Sequence, residues 1–195
     1  MVAASEDTDE TLMRRYAGGD MNAFAALYDR HERALWRFVL RSVQSAAVAD
    51  DLAQDVWFAV TRAAERYQPS AKFRTWLFTM ARNRIIDHAR TSKPHHSLDA
   101  EGDDGEPMFS ELAAESRLGP LRAVSSREEA RALIEAIEQL PPDQREAFLL
   151  QAEGDMSAEE IAAATGVSFE TAKSRLRYAR NKLKALLADH AQARP

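Results

Sequence analysis

The stretch Met156–Leu187, MSAEEIAAATGVSFETAKSRLRYARNKLKALL, places the tightest limits on what this chain can fold into. Ser157, with Glu160 three residues on, is a capping box that starts a helix. Ile161, Ala162 and Ala164 give that helix a narrow apolar face of small residues. Thr165-Gly166-Val167 ends it, because Gly166 can take the left-handed conformation that closes a helix. Ser168 then caps a longer helix in which Ala172, Leu176, Ala179, Leu183 and Leu186 or Leu187 recur at helical spacing. Its other faces carry Lys173, Arg175, Arg177, Arg180, Lys182 and Lys184, with no acid between Thr171 and Ala188. A short helix, a glycine turn and a basic second helix form a helix-turn-helix pattern, whose second helix can enter a DNA major groove. An antiparallel helix pair with a solvated basic face fits the turn equally well. The small-residue first helix and the acid-free second helix favour the nucleic-acid reading.

Net charge argues the other way at first sight, being −5 over 195 residues. The charge is segregated, however. Lys72, Arg74, Arg82, Arg84, Arg90 and Lys93 are opposed within Lys72–Lys93 only by Asp87, whereas Asp99–Glu115 holds seven acids and no base. Local field decides where a polyanion docks. There is no cysteine, which excludes disulfides and thiolate metal sites. The opening MVAASEDTDETL lacks the charged and apolar regions of a signal peptide, and no run of 18 apolar residues occurs. A cytoplasmic protein with no membrane insertion is expected.

Along the chain, Thr8 or Asp9 can cap a first helix that ends at Gly18-Gly19, anchored by Leu12, Met13 and Tyr16. Asp20 caps a second, running through Phe24, Leu27, Tyr28, Leu35, Phe38, Val39 and Val43. Ser45–Ala49 reads as a connection, and Asp50 or Asp51 as the start of a third helix that ends near Gln68-Pro69. A fourth runs from about Phe73 to Thr91. Pro94, Gly102, Gly105, Pro107, Gly119 and Pro120 then punctuate an acidic stretch without sustained period, a linker by composition. Ser126 and Glu129 form another capping box, opening a helix that stops at Leu140-Pro141-Pro142. Pro142 suits the first position of the next helix, which buries Phe148 and Leu149 and closes at Gly154. The expected fold is all-α: a helical domain over 1–93, a flexible acidic linker over 94–125, and a helix-turn-helix domain over 126–190.

MRRYAGGDMNAFAALYDRH, DDLAQDVW and FRTWLFTMARNRIIDHAR together resemble the region-2 domain of bacterial RNA polymerase sigma factors. IEQLPPDQREAFLLQAEGDMSAEEIAAATGVSFETAKSRLRYARNKL resembles their region 4. Two such domains with no region-3 domain between them resemble the extracytoplasmic-function (group 4) branch of the sigma-70 family. Two positions depart from the family pattern: Ala172 stands where a larger aliphatic is common, and Tyr178 where many members carry a base-reading or phosphate-binding residue.

The resemblance implies a non-enzymatic factor with no cofactor or metal, which binds core RNA polymerase and directs promoter-specific initiation. Region 4 would read the upstream (−35) duplex through Glu170, Thr171, Lys173, Ser174, Arg175, Arg177, Tyr178 and Arg180. Lys173, Ser174 and Arg177 suit bases, Tyr178 a thymine methyl, and Arg175 and Arg180 phosphates. Region 2 would capture the melted downstream (−10) strand, which calls for stacking surfaces and a cationic track. Tyr67, Phe73, Trp76 and Phe78 with Lys72, Arg74, Arg82 and Arg84 have that composition. Trp76, Leu77, Met80 and Ala81 sit at core spacing, so Phe73 and the Gln68–Lys72 loop are the expected exposed part. Asn83 matches a family position lining the pocket of an unstacked base, where an amide offers both donor and acceptor. In DDLAQDVW, Leu52, Gln54 and Asp55 correspond to the polymerase-clamp surface, Gln54 and Asp55 being the exposed polar candidates.

A linker of about 30 residues reaches ~100 Å, enough for both domains to sit on one promoter. Its acidic run either threads a basic polymerase channel, as the family's linkers are placed, or is a solvated tether. Beyond Leu187 only ADHAQARP follows, so control is expected from a separate protein or from expression; the resemblance implies a cognate anti-sigma factor, and a chain that is monomeric when free. A dimeric repressor or activator binding duplex DNA alone is the rival reading. An enzyme is disfavoured by the lack of GxxxxGKS, HExxH, GxSxG or paired-Cys motifs, and His95-His96 reads as a solvated pair.

Overall fold

The structure, a computed structural model, describes residues 7–91 and 127–192. The acidic linker, His95-His96 and the Ser126 half of the second capping box lie outside the described residues. Within them every regular element is helical, as expected. The helices are α1 (Asp9–Ala17), α2 (Met21–Val43), α3 (Ala46–Ala63), a 3-10 turn (Ala64–Arg66), α4 (Phe73–Thr91), α5 (Arg127–Glu138), α6 (Pro142–Ala152), α7 (Ala158–Thr165) and α8 (Phe169–Gln192). They form two compact units that divide after His88.

In the first unit, local signals set most boundaries. The Thr8 hydroxyl accepts from the Thr11 amide, and Asp20 Oδ1 from those of Asn22 and Ala23, so both expected caps form. The start of α3 differs from expectation. Gln44 turns the chain in the left-handed region at φ 58°, and Ser45 caps the helix through the Val48 amide. What reads as a connection is thus the first turn of α3, because a glutamine in that conformation is not a turn signal a sequence advertises. At the far end α3 tightens into the 3-10 turn and stops at Arg66, short of Pro69.

α2 is the axis of this unit. Leu27, Leu35, Phe38 and Val39 are buried from it, against Met13 of α1, Val56 and Val60 of α3, and Phe73, Leu77, Phe78 and Ala81 of α4. The Phe38 and Phe78 rings meet edge-on, centroids 5.3 Å apart. Trp36 Nε1 donates to Asp50 Oδ1 at 2.6 Å, tying α2 to α3.

α1 is fastened by two adjacent carboxylates. Asp9 accepts from buried His31 Nε2 at 2.7 Å and from Arg30 Nη1 at 3.0 Å. Glu10 Oε1 accepts from the Phe73 amide at 2.9 Å, so a side chain from α1 caps the first turn of α4. Burial works against the charge on Asp9, but the bonds from His31 and Arg30 outweigh it and hold the carboxyl below the ordinary 3.8. A depressed carboxyl stabilises the fold above its unfolded value, and the contribution disappears as pH falls through the folded one. Asp9→Ala is therefore expected to cost about 1.5–3 kcal/mol at neutral pH. In urea titrations across pH, its gap from wild type should close only below the ordinary value. A gap that stayed constant into strong acid would show that the charge contributes nothing.

The second unit is a platform for α8. Ala172, Leu176, Ala179 and Leu183 are buried along it, as the helical spacing requires, while Leu186 and Leu187 are half-buried. They pack on α5, α6 and α7, which bury Leu133, Ile137, Phe148, Leu149, Leu150 and Ile161. Pro142 occupies the first turn of α6, as anticipated. That helix ends at Ala152, two residues before Gly154. The Arg145 guanidinium donates to the carbonyls of Glu138 and Leu140, satisfying the end of α5. Ser157 and Glu160 make both halves of the capping box. Gly166 sits at φ 71°, and its amide and that of Val167 both donate to the Ala162 carbonyl, fixing the turn between α7 and α8.

Candidate nucleic-acid interface

The N-terminal turn of α8 stands clear of its platform. Ser168 Oγ accepts from the Thr171 amide at 3.1 Å, capping the helix as expected. Glu170, Thr171, Lys173, Arg177 and Arg180 are exposed and Ser174 is half-buried. Tyr178 is 52% exposed. The Arg177 guanidinium lies 5.0 Å from its ring centre, and Nη2 reaches the Tyr178 hydroxyl at 3.4 Å. Lys173 Nζ lies 5.7 Å from the ring centre of Phe169, itself 40% exposed.

Arg175 and Arg180 differ from the other cations. Arg175 is ion-paired with Asp143 at the start of α6, and Arg180 donates to Gln151 near its end. Both brace α8 against α6. The exposed aromatic Phe169 is a residue the sequence reading missed. Its signal was there, an aromatic four residues before a lysine on one helix.

In α4 the aromatic residues sort differently from expectation. Phe73, expected to be exposed, is 0% exposed. Its ring meets Trp76 at 5.8 Å, Tyr67 at 6.3 Å and His31 at 5.5 Å, so it is core. Phe78 is buried too, under the guanidinium of Arg74 at 5.8 Å. Leu77 and Ala81 are core as anticipated, but Trp76 and Met80 are only half-buried. The outward stripe of α4 is therefore Trp76, Thr79 and Asn83, at i, i+3 and i+7, with Asn83 exposed. Lys72 is exposed and Arg74, Arg82 and Arg84 are half-buried. Tyr67, half-buried against Trp76, has its phenol pushed up to about 12 by burial and by the charges of Glu10 and Asp9, so it stays protonated.

In α3, Leu52 is buried and so is core, whereas Gln54 and Asp55 are exposed as expected. Phe58, one turn on from Gln54, is 51% exposed and was also missed. An apolar run, VWFAV, hides which of its members turns outward.

Residues 27–94 match the family described as Sigma-70 region 2, and residues 130–183 match Sigma-70, region 4. RNA polymerase sigma factor CarQ of Myxococcus xanthus is 33% identical over 91% of this chain and 96% of its own length. The ECF RNA polymerase sigma factor SigW of Bacillus subtilis is 31% identical over 88% of this chain and 92% of its own. The chain is an extracytoplasmic-function sigma factor of the sigma-70 family. It is therefore a transcription initiation factor, and sigma factors are not catalysts. The solved structure of CnrH in complex with the cytosolic domain of CnrY shares the fold at a TM-score of 0.62 and 28% identity, covering 94% of this chain and 99% of that one. α1 precedes the residues matched to region 2, yet it is bonded to α2 and α4 within the same unit. No helix among the described residues is long and apolar enough to cross a membrane. None of their His, Asp and Glu side chains cluster as a metal site.

Proposed function

We propose that this sigma factor docks on core RNA polymerase through the exposed face of α3, Gln54, Asp55 and Phe58. It then carries α8 to the upstream duplex and α4 to the melted downstream strand in the cytoplasm. On this reading 1–93 is the region-2 domain, 94–125 the linker and 126–190 the region-4 domain. The observation that supports it most is the exposed N-terminal turn of α8. The two turns that follow it project Lys173 and Arg177, each beside an aromatic ring, from a helix braced by Arg175 and Arg180. Arginine or lysine on guanine O6 and N7 is the commonest specific major-groove contact. α4 supplies an exposed amide at Asn83 two turns along the same face from the half-open Trp76, with cations along the same helix, the combination an unstacked strand requires.

Lys173→Ala should relax preference at one upstream base and cost about 1–3 kcal/mol on the preferred promoter alone. Arg175→Ala should weaken all promoters alike, because it removes a brace and a cation together. Competition binding of polymerase holoenzyme to promoters varied one base at a time separates the two. Equal loss on every variant in the Lys173 protein would sink the assignment. A gel shift with and without core polymerase tests the whole reading: a sigma factor binds its promoter as a 1:1 polymerase complex, a repressor binds alone. The co-crystal structure of the sigma factor RpoE in complex with the anti-sigma factor NepR from Bartonella quintana, similar at a TM-score of 0.63 and 27% identity over 85% of this chain and 96% of that one, supports a cognate anti-sigma factor as the partner that restrains this chain.

A further inference from the structure

Phe169 is the exposed aromatic on α8 that no role yet accounts for. It occupies the first position of the helix, and its exposed neighbours are Ser168, Glu170, Thr171 and Lys173. A lone ring among polar and charged side chains is too small an apolar patch for a protein interface. It also holds the lysine most suited to reading a base, whose ammonium sits 5.7 Å from its ring centre. Successive bases of one strand rise about 3.4 Å, so that separation spans one to two base steps. In the major groove a guanine presents O6 and N7 to a cation, and a thymine presents a C5-methyl to an apolar side chain.

We propose that Phe169 is a specificity-determining residue of the upstream interface, packing on the C5-methyl of a thymine one or two steps from the guanine that Lys173 reads. The proposal rests on α8 being the duplex reader. The ring fixes the lysine from one side and meets the methyl with its open edge, so the pair reads a two-base feature that neither residue reads alone. Replacing thymine by deoxyuridine removes that methyl and nothing else, which makes the contact directly testable.

The experiment uses the full chain with core polymerase and a promoter library randomised across the upstream element. The best promoter is then remade with deoxyuridine at each upstream thymine in turn. At one thymine, wild type should prefer thymine over deoxyuridine by about fivefold. Phe169→Ala should bind the two templates equally, and Phe169→Leu should keep part of the preference. Because the ratio is taken within one protein, incomplete folding of a variant cancels. The same ratio in wild type and Phe169→Ala at every position would overturn the proposal. If the library shows no upstream enrichment at all, α8 is not the duplex reader and the proposal falls with that reading. Upstream enrichment without deoxyuridine sensitivity removes Phe169 alone.

Discussion

Truncating Phe73 to alanine should destabilise the first unit by about 3–5 kcal/mol, the cost of emptying a fully buried phenylalanine site. Phe73 is enclosed by Tyr67, Trp76 and His31, and its own amide is bonded to Glu10. The cavity would therefore open where α1, α2 and α4 meet, three elements that cannot all collapse into it. Domains of this size have total stabilities of about 4–12 kcal/mol, so the variant should be close to unfolding at physiological temperature. All three tryptophans, Trp36, Trp57 and Trp76, lie in this unit. Tryptophan fluorescence during urea unfolding of the whole chain reads it selectively. A wild-type midpoint combined with lost downstream recognition would return Phe73 to the surface role its sequence context suggested.

Asn83→Ala should behave in the opposite way. Its side chain is exposed on the outward stripe of α4, and exposed polar substitutions leave stability within about 0.5 kcal/mol. If the amide pairs with an unstacked base, losing it should lower open-complex formation about tenfold, while polymerase binding is unchanged. Permanganate reactivity of promoter thymines measures the melted strand, and native gels measure the polymerase complex. Undiminished reactivity in the variant would remove Asn83 from the pocket. The pair of substitutions, ten residues apart on one helix, tests whether α4 divides into a face that holds the fold and a face that meets the strand.

How much of this was legible in advance depends on the distance over which each feature is decided. Thr8, Asp20, Ser157, Glu160 and Gly166 act on backbone groups within three or four residues, and every one of those caps formed as read. The buried stripe Ala172, Leu176, Ala179 and Leu183 is a matter of period alone. Ser45 was misread because its signal depends on Gln44 adopting a conformation glutamine seldom takes. The misreading of Phe73 has a different origin. α4 is apolar on more than one side, and period alone gives no means of ranking Phe73, Trp76 and Phe78. α2 and α1 rank them, by covering the first and third and leaving the second half-open.

The same division holds at the interface. The basic run of α8, its capping serine and the glycine before it follow from the chain itself, because charge content and helix ends are local properties. Which cations are available to DNA does not. Arg175 meets Asp143 across 32 residues and Arg180 meets Gln151 across 29. Those pairings exist only because α8 packs on α6, and they give the two expected phosphate contacts a bracing role as well. Lys173 and Arg177 remain at the front, each set against an aromatic ring. Local composition and periodicity are enough to give a long basic helix behind a glycine turn. Packing alone decided which of its outward cations are paired, because a pairing depends on what lies opposite.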